Sequence, residues 1–186
     1  MTTGQRIARF ILRRLGWTCV DVEPRPERAV LVVYPHTSNW DFPLGLLAKA
    51  ALPLNARWAG KDTLFRGPLG PPMRRLGGIP VNRRERTGFV ARLAAELRDG
   101  PPFLLAIAPE GTRSLTPGWK SGFYRIALEA RVPLLLATID YAHKRIGLIG
   151  SFTPSGDAER DIAALAERYA DCRGLRPELV SPIRLV

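Results

Sequence analysis

Two polar side chains at the end of an apolar run offer the clearest chemistry in the sequence. His36 follows the apolar residues 29–34, and Asp41 comes five positions after it. A histidine that acts as a general base needs a partner on its second ring nitrogen, and a carboxylate can supply one. Because five positions turn a helix by about 500°, the side chains meet only if His36 lies in the turn before a helix and Asp41 in its first turn.

The same residues have a second interpretation. Residues 38–41 read Ser-Asn-Trp-Asp, which matches a helix capping box with Asp in place of the preferred Glu or Gln. In that interpretation Asp41 caps backbone N–H groups, and His36 is an ordinary loop residue. The second histidine, His143, lies in a polar stretch near a predicted strand boundary, and we predict that it is a surface residue. Spacing alone leaves both interpretations of His36 open.

Three further polar segments could join His36 and Asp41 in one site. Glycines permit close backbone approach, arginines grip phosphate with paired N–H donors, and the amides at a helix N-terminus suit an anion. The candidate residues in these segments are Arg83, Glu110, Gly111, Thr112, Arg113 and Lys120. Each segment alone could be a solvated turn, but together they predict a site with a base and several phosphate ligands.

Apolar stretches typical of buried strands alternate with helical stretches from residue 29 onward. Strands are predicted at 29–34, 55–59, 78–82, 103–108, 133–139 and 144–149. Helices are predicted at 39–52, 87–98, 121–130 and 158–169, with a loop that has room for one short helix at 62–76 and an irregular tail from 174. This alternation predicts a single α/β domain with a largely parallel or mixed sheet flanked by helices.

The N-terminal segment predicts an amphipathic helix over residues 5–17. Its apolar residues at helical spacing are Ile7, Phe10, Ile11 and Leu15, and its charged residues are all arginines. Such a helix can lie in a lipid interface, or it can pack on the domain's own core with its arginines in solvent. A polar, proline-containing segment follows at 22–28. We therefore divide the chain into an N-terminal helix with its linker, residues 1–28, and a main domain, residues 29–186.

The charge balance indicates anionic partners. The chain has 28 basic and 17 acidic residues, a net charge of +11, and 24 of the basic residues are arginines. Nucleic acid, anionic lipid, a phosphorylated small molecule or an acidic carrier protein would suit this charge, as would a genomic bias toward arginine. No nucleic-acid-binding motif is present, so we do not expect nucleic acid as a partner. No apolar segment approaches the roughly 20 residues of a membrane-spanning helix.

Four segments, in this order, resemble the motifs of the PlsC-like glycerolipid acyltransferases, whose best-known members are the 1-acyl-glycerol-3-phosphate acyltransferases. The segments are His36 with Asp41, the glycine-rich residues 78–83 ending in Arg83, Glu-Gly-Thr-Arg-Ser at 110–114, and Pro133 within an apolar strand. Their order and spacing agree with the family over roughly residues 29–140. The His–Asp pair alone is a weak signal, but followed by residues 110–114 it is specific.

The resemblance implies a reaction. His36 would remove the proton from a hydroxyl of a lysophospholipid, and Asp41 would orient His36. The hydroxyl would attack the thioester of an acyl-CoA or an acyl carrier protein, without a covalent acyl-enzyme. The resemblance implies no metal and no cofactor beyond that thioester co-substrate. We expect the enzyme on the cytoplasmic side, peripheral on the inner face of an anionic cell membrane.

The resemblance also implies binding roles. Arg83 and Arg113 would hold the acceptor's phosphate, Glu110 would fix the acceptor or the loop, and Pro133 would shape the acyl-binding side. Two departures leave the acceptor open: the family's membrane-embedding helices are reduced to the one candidate at 5–17, and Asn82 stands where many members carry Asp. The alternative acceptors are lysophosphatidic acid, another lysophospholipid, and a different lipid or non-glycerol acceptor. An alternative of another class is a basic nucleic-acid- or lipid-binding module without catalysis.

Overall fold

The strands form one sheet, and the apolar run before His36 lies in its centre. The computed structural model describes residues 1–81 and 88–186, and the sheet within these residues has seven strands. In chain order they are β1 (Thr18–Val20), β2 (Ala29–Tyr34), β3 (Ala56–Lys61), β4 (Gly78–Val81), β5 (Leu104–Ile107), β6 (Leu134–Asp140) and β7 (Arg145–Phe152). Across the sheet their order is β1-β7-β6-β2-β5-β3-β4.

The direction of the strands brings the polar loops together. Neighbouring strands are parallel in every pair except β6 and β7. β2 pairs with β5 on one side and with β6 on the other. Because parallel strands have their carboxyl ends at the same edge of a sheet, the segments that follow β2, β5 and β6 meet there. The predicted α/β domain with a largely parallel, mixed sheet is confirmed.

Helices cover both faces of the sheet. Within the described residues they are α1 (Thr3–Arg14), α2 (Asp41–Ala51), α3 (Gly70–Arg75), α4 (Phe89–Asp99), α5 (Gly122–Ala130) and α6 (Ala158–Arg168). Val30 and Val32 of β2 pack in a core with residues of α4, α5 and α6, whereas Ala29 and Leu31 pack on the opposite face. Both faces of β2 are therefore buried, which explains its continuous apolar sequence.

α1 begins earlier than its apolar pattern predicts. The Thr2 side chain accepts from the backbone N–H of Gln5, and the Gln5 side chain accepts from that of Thr2, which completes a capping box. Ala8 and Leu12 are buried and pack with residues of α2. Trp17 lies beyond the helix and is also buried. One side of α1 is therefore part of the core.

The other side of α1 carries the apolar residues that predicted an amphipathic helix. They are between 37% and 54% exposed: Ile7, Phe10, Ile11 and Leu15. The same helix ends in Arg13 and Arg14, and all of its charged residues are arginines. The two alternatives from the sequence therefore describe different sides of α1: one packs on the core, and the other presents apolar and basic groups outward.

The segment between α1 and β2 is joined to the rest of the fold. β1, which the sequence did not predict, pairs in parallel with β7. Arg25 Nη1 donates to the carbonyl of Leu52 at 2.6 Å, and Arg28 Nη1 donates to that of Leu97 at 2.8 Å. These carbonyls lie at the C-terminal ends of α2 and α4, where cations are favourable. The division of the chain at residue 28 stays a prediction.

The segment between β3 and β4 is made of short helical pieces. The stretch predicted as a loop with one short helix, residues 62–76, contains two 3-10 turns, Asp62–Phe65 and Gly67–Leu69, before α3. Arg83, a predicted phosphate ligand, lies outside the described residues. Among the helices of the described ranges, none has the length and apolar character needed to cross a membrane.

Candidate active site

His36 and Asp41 are in contact at the carboxyl end of β2. His36 lies in the turn after the strand, and Asp41 is the first residue of α2. The distance from His36 Nδ1 to Asp41 Oδ2 is 3.1 Å, and the His36 side chain is 18% exposed while that of Asp41 is 1% exposed. This is the geometry that the spacing required of a base and its carboxylate partner. Nε2 is the ring nitrogen that does not face Asp41.

Asp41 also closes the turn that precedes α2. The backbone N–H of Ser38 donates to Asp41 Oδ2 at 2.9 Å, and the backbone N–H of Trp40 donates to Ser38 Oγ at 3.1 Å. A carboxylate offers about four lone-pair sites, so it can accept from the turn and from an imidazole together. The bond from Ser38 and the His36 contact therefore coexist, and the first holds the carboxylate in place for the second. The residue before α2, Trp40, makes no side-chain capping bond, so the full capping box predicted over residues 38–41 does not form.

Tyr141 is a third member of this group, and the sequence had not assigned it a role. Its hydroxyl donates to Asp41 Oδ1 at 2.7 Å, and its ring stands edge-on to that of Trp17 with centroids 5.0 Å apart. Tyr141 follows β6 directly. Because β6 and β2 are parallel neighbours, the residue after β6 lies beside the turn after β2. That position in the chain was the signal that could have identified it.

These contacts determine the charge of the carboxylate. Burial alone would raise the pKa of Asp41, but the hydrogen bonds from His36, Ser38 and Tyr141 outweigh it, and the pKa lies below its ordinary value. Burial and the bond to Asp41 raise the pKa of Tyr141. At neutral pH the site therefore holds an ionised carboxylate between a phenol that donates to it and the imidazole.

The Tyr141→Phe variant should retain the fold and lower kcat about tenfold, because a hydrogen bond to a charged group is worth about 1.5–3 kcal/mol. KM should stay within about twofold, since Tyr141 orients Asp41 and does not face the cleft. Without this donor the pKa of Asp41 should rise, so the loss of kcat at acidic pH should begin at a higher pH in the variant than in the wild type. Steady-state rates measured across pH test both effects.

A matched control is available elsewhere in the chain. Tyr124 donates to Asp161 Oδ2, also at 2.7 Å, in a buried Tyr–Asp pair between α5 and α6. The Tyr124→Phe variant should lose a similar amount of stability and keep the pH profile of the wild type. A pH profile for Tyr141→Phe that coincides with that of Tyr124→Phe would show that Tyr141 is merely structural.

The Glu110 side chain accepts hydrogen bonds from the backbone of the turn that contains His36. It is fully buried, at 0% exposure. One carboxylate oxygen accepts from the backbone N–H of His36 at 2.7 Å, and the other accepts from that of Ser181 at 3.2 Å. Burial raises the pKa of Glu110 despite these bonds. Of the two predicted roles, the geometry favours fixing the loop, because the carboxylate faces the protein's own backbone.

The neighbours of Glu110 form the rest of the loop after β5. Gly111 has a φ of +67°, a left-handed conformation that favours glycine, and a Cβ there would lie 3.1 Å from Lys120 Nζ. Thr112 Oγ1 accepts from the backbone N–H of Ser114 at 3.4 Å. Arg113 Nε donates to the carbonyl of Ser38 at 3.2 Å, so it reaches the turn between β2 and α2. The structure thus places four predicted residues of one loop near His36: Glu110, Gly111, Thr112 and Arg113.

Pro133 and His143 lie away from this group of residues. Pro133 immediately precedes β6, and its carbonyl accepts from Val30 at the start of β2. It therefore lies at the edge of the sheet opposite His36, and its position gives no support to an acyl-shaping role. The His143 side chain is 54% exposed and its Nδ1 lies 2.7 Å from Asp140 Oδ2, in keeping with a surface residue.

A cleft of about 300 Å³ opens beside the turn of His36. It is lined by residues 37–40, Arg113, Ser114, Arg176 and Leu179. The last two belong to the C-terminal segment, which the sequence predicted only as irregular. Sequence reasoning missed this contribution, because an irregular segment has no periodicity that shows where it returns to the sheet.

Comparisons with known proteins identify the family and the fold. A family model described as Acyltransferase matches residues 16–139, more than half of the chain, and this range contains His36, Asp41 and the loop after β5. A comparison with curated proteins found no match. The crystal structure of PlsC, the 1-acyl-sn-glycerophosphate (LPA) acyltransferase from Thermotoga maritima, has a similar fold. Its TM-score is 0.57 at 20% identity, over 90% of this chain and 75% of that one. The chain belongs to the acyltransferase family.

Proposed function

We propose that the protein transfers a fatty acyl group from the thioester of an acyl-CoA or acyl carrier protein to the free hydroxyl of a lysophospholipid. The observation that carries this proposal is the 3.1 Å contact between His36 Nδ1 and the buried Asp41 carboxylate, in a member of an acyltransferase family. PlsC, whose fold is similar, is a 1-acyl-sn-glycerophosphate acyltransferase. A glycerolipid acceptor is therefore the first to test.

The proposed reaction needs one base and no covalent enzyme intermediate. His36 Nδ1–H donates to Asp41, which leaves the Nε2 lone pair to take the proton of the acceptor hydroxyl. The hydroxyl oxygen attacks the thioester carbon, the new C–O bond forms, and the C–S bond breaks. His36 then returns the proton to the departing thiolate. Asp41 holds the tautomer and stabilises the transient imidazolium.

The surroundings of His36 suit an anionic acceptor. Arg113 is exposed at the cleft and bonded through Nε to the Ser38 carbonyl, which aims its remaining nitrogens away from that bond. Trp40, at the rim of the cleft, is 69% exposed. A cation and an apolar ring at one cleft match a lipid with a phosphate and a hydrocarbon part. Arg83 is proposed as a further phosphate ligand.

The proposal is tested by acyl transfer to a panel of lysophospholipids and to 1-acylglycerol, with acyl-CoA and acyl carrier protein donors supplied separately. We expect formation of a diacyl product with at least one lysophospholipid, together with stoichiometric release of free thiol. Absence of transfer to every lysophospholipid from both donors would contradict the proposed function. The same panel identifies the acceptor and the donor.

We also propose that the protein acts on the cytoplasmic face of an anionic membrane, to which the outward side of α1 binds. That side combines the exposed Ile7, Phe10, Ile11 and Leu15 with arginines. Apolar groups would enter the headgroup boundary, and the arginines would attract anionic lipid. The substrate would then reach the cleft from the membrane surface.

The Phe10→Glu variant should bind vesicles of phosphatidylglycerol and phosphatidylcholine about tenfold more weakly than the wild type, because an exposed aromatic ring that would enter the lipid is replaced by a charge that the anionic lipid repels. Sedimentation with the vesicles measures this. Leu128→Glu, on α5, is the matched control, since Leu128 is another exposed apolar residue, at 37%. Equal binding by Phe10→Glu and Leu128→Glu would refute the role of α1.

A further inference from the structure

The cleft beside His36 presents two guanidinium groups from distant parts of the chain. Arg113 comes from the loop after β5, and Arg176 comes from the C-terminal segment, beyond the residues that the family model matches. The cleft's polar lining otherwise consists of hydroxyl and amide side chains. Among the residues that the structure describes, no carboxylate lines this cleft. The charge of the cleft is therefore positive, which favours an anionic ligand.

The C-terminal segment is held firmly against the turn of His36. The backbone N–H of Arg176 donates to Thr37 Oγ1 at 3.2 Å, and the backbone N–H of Tyr141 donates to the Arg173 carbonyl at 2.9 Å. Gly174 passes so close that a Cβ on it would lie 2.5 Å from Thr37 Oγ1. The backbone of Arg176 therefore has a defined position beside the site, although its side chain is exposed.

The two guanidinium groups differ in how they are held. Arg113 uses Nε for the Ser38 carbonyl, and its two terminal nitrogens remain for a ligand. Arg176 is anchored through its backbone, and within residues 1–81 and 88–186 its side chain makes no hydrogen bond or ion pair. A side chain that is free of protein partners, on a fixed backbone, in a cleft lined by a second arginine, is suited to bind a ligand.

We propose that Arg176, together with Arg113, binds the phosphate of the acceptor. The proposal rests on the proposed function and adds to it a residue beyond the range that the family model matches. A phosphate group has several anionic oxygens, and an arginine fork binds two of them at once, so one phosphate can engage both side chains.

The first test compares Arg176→Ala with the wild type in mixed micelles of neutral detergent, which fix the surface concentration of the acceptor. KM for 1-acyl-glycerol-3-phosphate should rise about tenfold with kcat within about twofold, because the lost contact is made equally in the ground and transition states. KM for 1-acylglycerol, which has no phosphate, should not change. The control Arg160→Ala removes an exposed arginine of α6 that does not line the cleft, and it should leave both KM values unchanged.

A second measurement does not depend on turnover. In the His36→Ala background, binding of 1-acyl-glycerol-3-phosphate micelles should be about tenfold weaker when Arg176→Ala is added. Equal binding by the two variants would overturn the proposal, and so would a KM that rises alike for the acceptors with and without phosphate. If the wild type transfers no acyl group to any lysophospholipid, the proposed function fails, while this binding comparison still decides the role of Arg176.

Discussion

The His36→Ala variant should transfer acyl groups about 10²–10⁴-fold more slowly than the wild type, because a positioned general base typically contributes that factor. The loss should appear in kcat, since the acceptor is deprotonated in the transition state while the groups that bind it are unchanged. KM for the acceptor should stay within about threefold. Release of thiol, followed continuously under saturating donor, measures both constants.

The fold of this variant should persist. The backbone N–H of residue 36 still donates to Glu110, and Asp41 keeps its bonds from Ser38 and Tyr141. Circular dichroism and binding to anionic vesicles should therefore match the wild type. These two measurements separate a lost base from a lost structure, which the rate alone does not do.

The second histidine provides the matched control. His143 also contacts a buried carboxylate through Nδ1, that of Asp140, but it is largely exposed and outside the cleft. Asp140 keeps Arg145 and the backbone N–H of Arg173 when His143 is replaced, so His143→Ala should retain a kcat within about threefold of the wild type. Turnover of His36→Ala in that same range would refute the assignment of His36 as the base.

The parts of the fold that the sequence predicts well are those whose burial is visible in the residue pattern. β2, β5 and β6 lie in the middle of the sheet with both faces covered, and this produces uninterrupted apolar runs. The loops that follow these runs carry polar residues, and because the carboxyl ends of parallel strands meet at one edge of the sheet, the sequence could place these residues together. His36, Asp41 and Glu110 were predictable on that basis.

The parts that the sequence does not predict depend on contacts between distant residues. β1 has only three residues, and it pairs with β7, which is more than 120 residues away in the sequence. Tyr141 acquires its role from the parallel arrangement of β6 and β2, and Arg176 from the return of an irregular segment to the turn of His36. None of these arrangements produces a local periodicity, so each requires the tertiary structure.

Asp41 shows why two sequence interpretations need not exclude each other. A capping residue and a partner of a catalytic base were alternatives because each would use the carboxylate. In the structure Oδ2 serves the turn and faces His36, while Oδ1 accepts from Tyr141. A buried carboxylate that must stay ionised needs several donors, so the bond from the Ser38 backbone contributes to the condition that the base requires.

The second large effect is expected at Glu110. Glu110→Gln replaces one carboxylate oxygen by an amide NH₂, so either the N–H of His36 or that of Ser181 loses its acceptor. A buried donor without a partner costs about 1–3 kcal/mol, which chemical denaturation should detect. Displacement of the His36 backbone by about 1 Å would lower kcat by about 10²-fold. KM should change far less, because the buried carboxylate does not face the cleft.

Asp161→Asn is the control, because Asp161 is another buried carboxylate, one that holds the Ser155 turn far from His36 in the sequence. Its stability loss should be similar, with kcat unchanged. A kcat for Glu110→Gln equal to that of Asp161→Asn would show that Glu110 does not position His36.

The pH dependence of the two stability losses should be opposite. Burial raises the pKa of Glu110, so the native protein binds this proton at higher pH than the unfolded chain does, and the contribution of Glu110 falls as pH rises through that interval. Burial alone would raise the pKa of Asp161 too, but bonds from Ser155 and Tyr124 lower it, so its contribution is present at neutral pH and is lost as pH falls. The stability gap should therefore narrow with rising pH for Glu110→Gln and with falling pH for Asp161→Asn. Parallel pH trends for the two variants would contradict the environment assigned to Glu110.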